Sequence, residues 1–193
     1  KRTDESLQIM AKLWSQDEVS FRGDYYQLDK ATISPKPAQT PLPLWVGGSS
    51  EKAIDRTARW GTGWQAGIET ASAIKPVIQK IKKRAKELNR PIDEDHFGAG
   101  FAFRFGEVTE PIVVRHHKLI RERFKMEPND LCAIGGKEEI MSLVQEFLEA
   151  GVQKFVLRPI ASGTKDMLTQ TKKMVEELLP EFDRLKREAP KTV

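Results

Sequence analysis

Four short apolar segments, LWV at 44–46, GWQA at 63–66, GFAFRF at 100–105 and KFVLR at 154–158, are each preceded or followed by a stretch with helical periodicity. This alternation constrains the fold more than any other feature. Strands separated by helix-length connections cannot pair as hairpins, so they lie parallel, with the helices crossing over between them. The helical stretches are legible individually. Ser50 to Trp60 follows a glycine turn. Ala71 to Leu88 carries Ile74, Val77, Ile78, Ile81 and Ala85 on one stripe and is stopped by Asn89 and Pro91. Pro111 opens a helix running to about Lys125. KEEIMSLVQEFLEAG places Ile140, Leu143, Val144, Phe147 and Leu148 on one face, with Gly151 after its end. A last helix covers about Thr164 to Glu188, with a kink expected at Pro180.

Upstream, Thr3 or Asp4 caps a first helix bearing Leu7, Met10, Leu13 and Trp14, and VSFRGDYYQL reads as two short strands around Arg22-Gly23-Asp24. Pro35, Pro37, Pro41 and Pro43 then forbid a helix and bring the chain extended into Leu44–Val46. The segment LWV lacks alternation, as expected of a strand covered on both faces. In HFGAGFAFRFGEV, Phe97, Ala99, Phe101, Phe103 and Phe105 alternate with smaller or polar residues, which predicts one strand with a packing face. The orientation of Arg104 within it stays open. Leu131 to Ile134 reads as a short extended piece.

At 193 residues, 39% hydrophobic and 31% charged, the chain can bury a core as a single domain spanning 1–193. No apolar run approaches a membrane span, and the opening KRTDESLQIM has no secretory core, so neither a membrane nor secretion is expected and cytoplasm is the default. One cysteine, Cys132, rules out an internal disulfide framework and a cysteine zinc site, and reads as a small buried hydrophobe. The net charge of +4 comes from 32 basic and 28 acidic residues that are intermingled. The densest basic stretch, QKIKKRAKELNR, is the solvated face of a helix, so nucleic acid is not an expected partner. His116 and His117 are adjacent, face about 100° apart on a helix, and read as surface residues; His96 has no ligand spacing around it. No metal site is expected.

The motif that points to chemistry is LWVGGSSEK, where strand, two glycines, two serines and helix start follow one another. Gly47, Gly48, Ser49 and Ser50 either gather backbone N–H groups around an anion at the positive end of a helix, or form a tight turn with a serine N-cap. The lack of a GxGxxG pattern argues against a doubly wound dinucleotide fold.

RTDESLQIMAKLW, VSFRGDYYQL, SPKPAQTPLPLWVGGSS, AIDRTARWGTGW and IGGKEEIMSLVQEFLEAGVQKFVLRP, taken in order and at this spacing, resemble the luciferase-like flavin- and F420-dependent oxidoreductase family. The resemblance implies an α/β fold of the (β/α)8 TIM-barrel type, of which this chain carries only the C-terminal half. LPLWV, GWQA, GFAFRF and KFVLR would be strands five to eight. It implies FMN, or alternatively coenzyme F420, with the cofactor phosphate at Gly47, Gly48, Ser49 and Ser50. Arg158, at the end of strand eight, becomes a candidate for a phosphate or an anionic substrate group, or else forms a rim salt bridge. Trp64 becomes a candidate pocket wall or a packing residue. Family members often carry aspartate where this chain has Thr62. No catalytic side chain stands out, since the chemistry belongs to the cofactor. A small-molecule substrate is expected, and self-association is expected of a half-barrel with open edges. The alternative is a non-catalytic half-barrel serving binding or assembly and completed by self-association.

Overall fold

The computed structural model describes residues 1–188. Internal contacts divide the chain into two compact units, one formed by Lys1–Gly67 with Pro76–Gly98, the other by Ile68–Lys75 with the chain from Ala99 onward.

The first unit opens with helix α1 (Arg2–Ser15), begun one residue before the expected cap; its N-cap is Lys1, whose side chain carries no acceptor for a cap hydrogen bond. Strands β1 (Val19–Arg22) and β2 (Gln27–Ala31) form the expected antiparallel hairpin. Its turn is held by Glu5, whose carboxylate accepts from the backbone N–H groups of Asp24, Tyr25 and Tyr26 at 2.9 to 3.0 Å. The proline segment follows in extended form. Lys36 Nζ reaches back from it to the carbonyls of Leu13 and Gln16, which end α1.

Three parallel strands make the sheet of this unit: β3 (Trp45–Gly47), β4 (Gly63–Gln65) and β5 (Phe97–Ala99), with Val46 opposite Trp64 and Trp64 opposite Phe97. Helix α2 (Glu51–Trp60) crosses between β3 and β4 and buries Ala53, Ile54, Thr57 and Ala58. Helix α3 (Ala71–Glu87) precedes β5. Its stripe is buried as its periodicity predicts, and it stops at Asn89, which takes the left-handed conformation (φ 51°) that asparagine tolerates. Thr62 continues the β3–β4 pairing: its Oγ1 accepts from Leu44 N–H at 2.7 Å, and its own N–H donates to Leu44 C=O.

In the second unit the central strand is β6 (Ala102–Phe105), flanked in parallel by β7 (Cys132–Gly135) and β9 (Arg158–Pro159). Strand β8 (Lys154–Phe155) leads into β9. The single strand expected over 97–105 is thus two strands, broken at Gly100, where a Cβ would lie 2.2 Å from Val156 C=O; only glycine allows that approach. Its alternation does not mark one buried and one open face, because all four residues of β6 are buried. The extended piece around Leu131–Ile134 proves to be a full partner strand. Pro159 is accommodated because Arg158 and Ile160, on either side, donate to Phe101 and Phe103, so the missing N–H falls on the edge of the sheet.

Helix α4 (Pro111–Phe124) packs Ile120 onto Ala102, Leu131, Cys132 and Ile160, with Ile112 and Phe124 beside them. Helix α5 (Lys137–Glu149) buries Ile140, Leu143, Val144 and Phe147, and the Phe147 ring stacks on Phe101 at 5.7 Å. Helix α6 (Thr164–Glu177) and helix α7 (Leu179–Glu188) replace the single kinked helix. The break comes at Leu178 rather than at Pro180, because proline removes its own bond to the fourth residue back and crowds that carbonyl. Among the described residues, no helix is long and apolar enough to cross a membrane.

Candidate functional site

Gly47 and Gly48 leave β3 exposed, and Gly48 adopts φ 95°, where a side chain would be strained. That turn carries the chain into Ser50, whose Oγ accepts from Ala53 N–H at 3.3 Å, making it the N-cap of α2. The tight-turn reading is therefore realised. It does not exclude an anion, because a serine that accepts from N3 retains its own O–H as a donor. Trp64, fully buried on β4, donates its indole N–H to Gly48 C=O at 2.9 Å. Its role here is to brace the loop from beneath. With that carbonyl turned inward, peptide planarity directs the following N–H, that of Ser49, the opposite way. Strand end, left-handed glycine, capped helix and inward carbonyl form a rigid loop at the positive end of α2.

Arg158 lies in the second unit, exposed on β9 opposite Ala102. Among the described residues no carboxylate pairs with it. Its neighbour is His116 on α4, whose pKa is lowered by burial, then by His117 and Arg158. The two histidines are half-buried rather than surface residues, and His117 Nε2 is buried without a partner among the described residues. Helix α4 folds its 112–116–120 row onto the sheet instead of lying free, which sequence adjacency could not reveal.

The strongest electrostatic feature, left open by the sequence, is Arg104. It is 8% exposed and points to the C-terminal end of β6. Its guanidinium donates to Glu110 Oε2 at 2.6 and 2.9 Å, to Ile160 C=O at 2.8 Å and to Asp166 Oδ2 at 3.0 Å. Asp166 also accepts from the Ser162 N–H at 2.9 Å. Glu110 is held below the usual carboxylate range by Arg104 and then by the Glu107 N–H. Asp166 is held below it chiefly by the Ser162 N–H, with Arg104 adding to the effect. Gln170 completes the arrangement by exchanging two hydrogen bonds with the Phe105 backbone. These groups fasten the chain after β6 and after β9 to one point. Glu110 lies only six positions after Arg104, in the loop before α4, but Asp166 is 62 positions away and is brought to Arg104 only by the tertiary fold.

His96, alone in the sequence, meets Asp93 and Asp95, with one donor atom of each within 4.8 Å of the others. Its Nδ1 already lies 2.7 Å from Thr62 C=O. Cys132 is buried, its thiol pushed up to about 11 by burial, and its Sγ–H donates to Pro128 C=O, in keeping with a packing role.

The family profile described as Luciferase-like monooxygenase matches residues 1–154. The FMNH(2)-dependent dimethylsulfone monooxygenase of Pseudomonas putida is 33% identical over 86 residues, covering 44% of this chain and 24% of that protein. The F420-dependent glucose-6-phosphate dehydrogenase of Amycolatopsis mediterranei (strain U-32) is 26% identical over 206 residues, covering 94% of this chain and 61% of that protein. Among solved structures, an F420-dependent secondary alcohol dehydrogenase in complex with an F420-acetone adduct superposes with a TM-score of 0.74 at 22% identity, over 93% of this chain and 61% of that one. Monooxygenase RslO1 from Streptomyces bottropensis gives 0.72 at 14% identity, over 94% and 61%. The fold is therefore of the (β/α)8 barrel type, present in part: the chain spans less than two thirds of the length of these relatives.

Proposed function

The chain belongs to the luciferase-like monooxygenase family, and from that premise we propose that it is part of a flavin- or F420-dependent oxidoreductase whose cofactor phosphate is held by Gly47, Gly48, Ser49 and Ser50. The observation that carries this reading is the rigid loop between β3 and α2, with Gly48 at φ 95°, its carbonyl drawn inward by Trp64 and the helix N-terminus beneath it. The residues present fit a phosphate: two glycines leave the backbone uncovered, serine hydroxyls add donors, and the helix end favours negative charge. Helix-terminus effects amount to about 0.3 to 1 kcal/mol each. A reduced flavin or deazaflavin, when bound, supplies the reducing equivalents. The chain's own contribution is to fix the anionic end of the cofactor and, through the Arg104 cluster, to hold the loops after β6 and β9 in place. Relatives named for FMNH(2) and for F420 support either cofactor, and FMN is the first to test.

The test is a titration of the chain with FMN and with riboflavin, followed by flavin fluorescence. FMN is expected to bind at least tenfold more tightly than riboflavin, and Gly48→Val to abolish that preference. F420 and its phosphate-free deazaflavin core provide the parallel comparison. Equal affinity for the phosphorylated and unphosphorylated forms of both cofactors would remove the phosphate role from this loop.

A second reading, a non-catalytic half-barrel that completes itself by pairing with another copy, is favoured by one observation. Leu168 and Val175 lie seven residues apart on α6 and are 65% and 46% exposed, two apolar side chains open to a partner on one helix face.

A further inference from the structure

The second unit contains a cavity of about 530 Å³ between α4 and the β9 segment, a size suited to a small organic ligand. Its floor is apolar, formed by Ala102, Ile120, Leu131 and Ile160 from the core and by Leu119 and Phe124 towards the opening. Its rim is cationic. Arg115 and Arg123 stand two helical turns apart on α4, Arg158 faces them from β9, and His116 lies between. Among the described residues, no aspartate or glutamate lines the cavity. The Arg123 guanidinium lies 5.6 Å from the Phe124 ring centroid, so its alkyl stem and an aromatic edge share the wall.

Such a combination is unusual on a chain with nearly as many acids as bases. Several arginines elsewhere are matched by carboxylates: Arg56 by Asp4, Arg59 and Arg84 by Asp55, Arg104 by Glu110 and Asp166. Three guanidinium groups at the rim of an apolar hollow, with no carboxylate among its described lining residues, can take an anion from outside, and planar guanidinium forks suit an oxyanion. The floor cannot satisfy a polar ligand body, because it offers hydrocarbon only.

We propose that this cavity binds an amphipathic anion, an apolar chain or ring ending in a carboxylate or sulfonate, with the head group on Arg158 and Arg115 and the apolar body over Leu119, Ile120 and Phe124. The binding site stands on the second unit alone.

The experiment is isothermal titration calorimetry on the 193-residue chain at pH 8, with octanoate, 1-octanol and acetate as probes. Octanoate is expected to bind saturably, at least tenfold more tightly than either 1-octanol or acetate. Arg158→Met and Arg115→Met each should weaken octanoate fivefold or more and leave 1-octanol unchanged, while Leu119→Ala weakens both. Circular dichroism of each variant confirms that the fold is retained. Absence of saturable octanoate binding, equal affinity for octanoate and 1-octanol, or octanoate affinity unmoved by both arginine substitutions would overturn the proposal. So would displacement of octanoate by stoichiometric FMN or F420, which would give the cavity to the cofactor. FMN titration in parallel separates the two readings. Octanoate binding without flavin binding keeps the cavity and removes the cofactor assignment, and flavin binding without octanoate binding does the reverse.

Discussion

Arg104 occupies a strand position where every neighbour on β6 is buried, and it remains charged there because two carboxylates and a backbone carbonyl meet its donors. A charge taken out of water costs several kcal/mol unless it is paired, and removing one partner leaves the rest uncompensated. Arg104→Met is therefore expected to lower the unfolding free energy by about 3 kcal/mol, read from urea denaturation. The pH dependence has a definite sign. Glu110 and Asp166 sit below their ordinary values of 4.5 and 3.8 in the folded chain, so the unfolded chain binds protons more readily in acid. Their contribution is complete above those ordinary values and is lost as the pH falls through the lower folded ones. Below about pH 4.5 the urea midpoint of the natural chain should therefore drop, and that of Arg104→Met should drop less steeply; parallel acid profiles would count against the cluster.

At the scale of the element, the ends of helices carry the information that the periodic middles do not. Ser50 was recognisable as a cap from the strand-glycine-serine order, and its Oγ does accept from Ala53 N–H. Ser50→Ala should cost about 1 kcal/mol and Ser50→Asp should restore most of it. Helix α4 ends differently, with Lys125 at φ 58° in the left-handed region, donating its N–H to Arg121 C=O. Lysine gains nothing from that conformation, so Lys125→Gly should stabilise the chain by up to about 1 kcal/mol in the same measurement. Strand β7 was the element least visible in the sequence. Four residues, Cys132–Gly135, have too little length to show a period, and their pairing with β6 was decided by a strand thirty positions upstream.

For the molecule as a whole, the α6 pair of Leu168 and Val175 bears on self-association. If copies pair through it, sedimentation velocity will show a concentration-dependent dimer, and the double substitution Leu168→Glu with Val175→Glu will yield monomer with unchanged helical content. A monomer at all concentrations for the natural chain would remove the half-barrel reading that depends on pairing.

The sequence by itself determined the alternation of strands and helices, the family, and the place of the loop at Gly47–Ser50, because each is written in local order: period, proline, glycine and cap residues act within a few positions of themselves. Arg158 and Trp64 were also visible as single candidates. What only the tertiary structure decided was company. Trp64 meets the Gly48 carbonyl across two strands, Arg104 meets Asp166 across crossover connections, and His116 turns inward beside Arg158. Contacts between residues distant in the chain depend on register and packing of the whole core, and no local pattern encodes them.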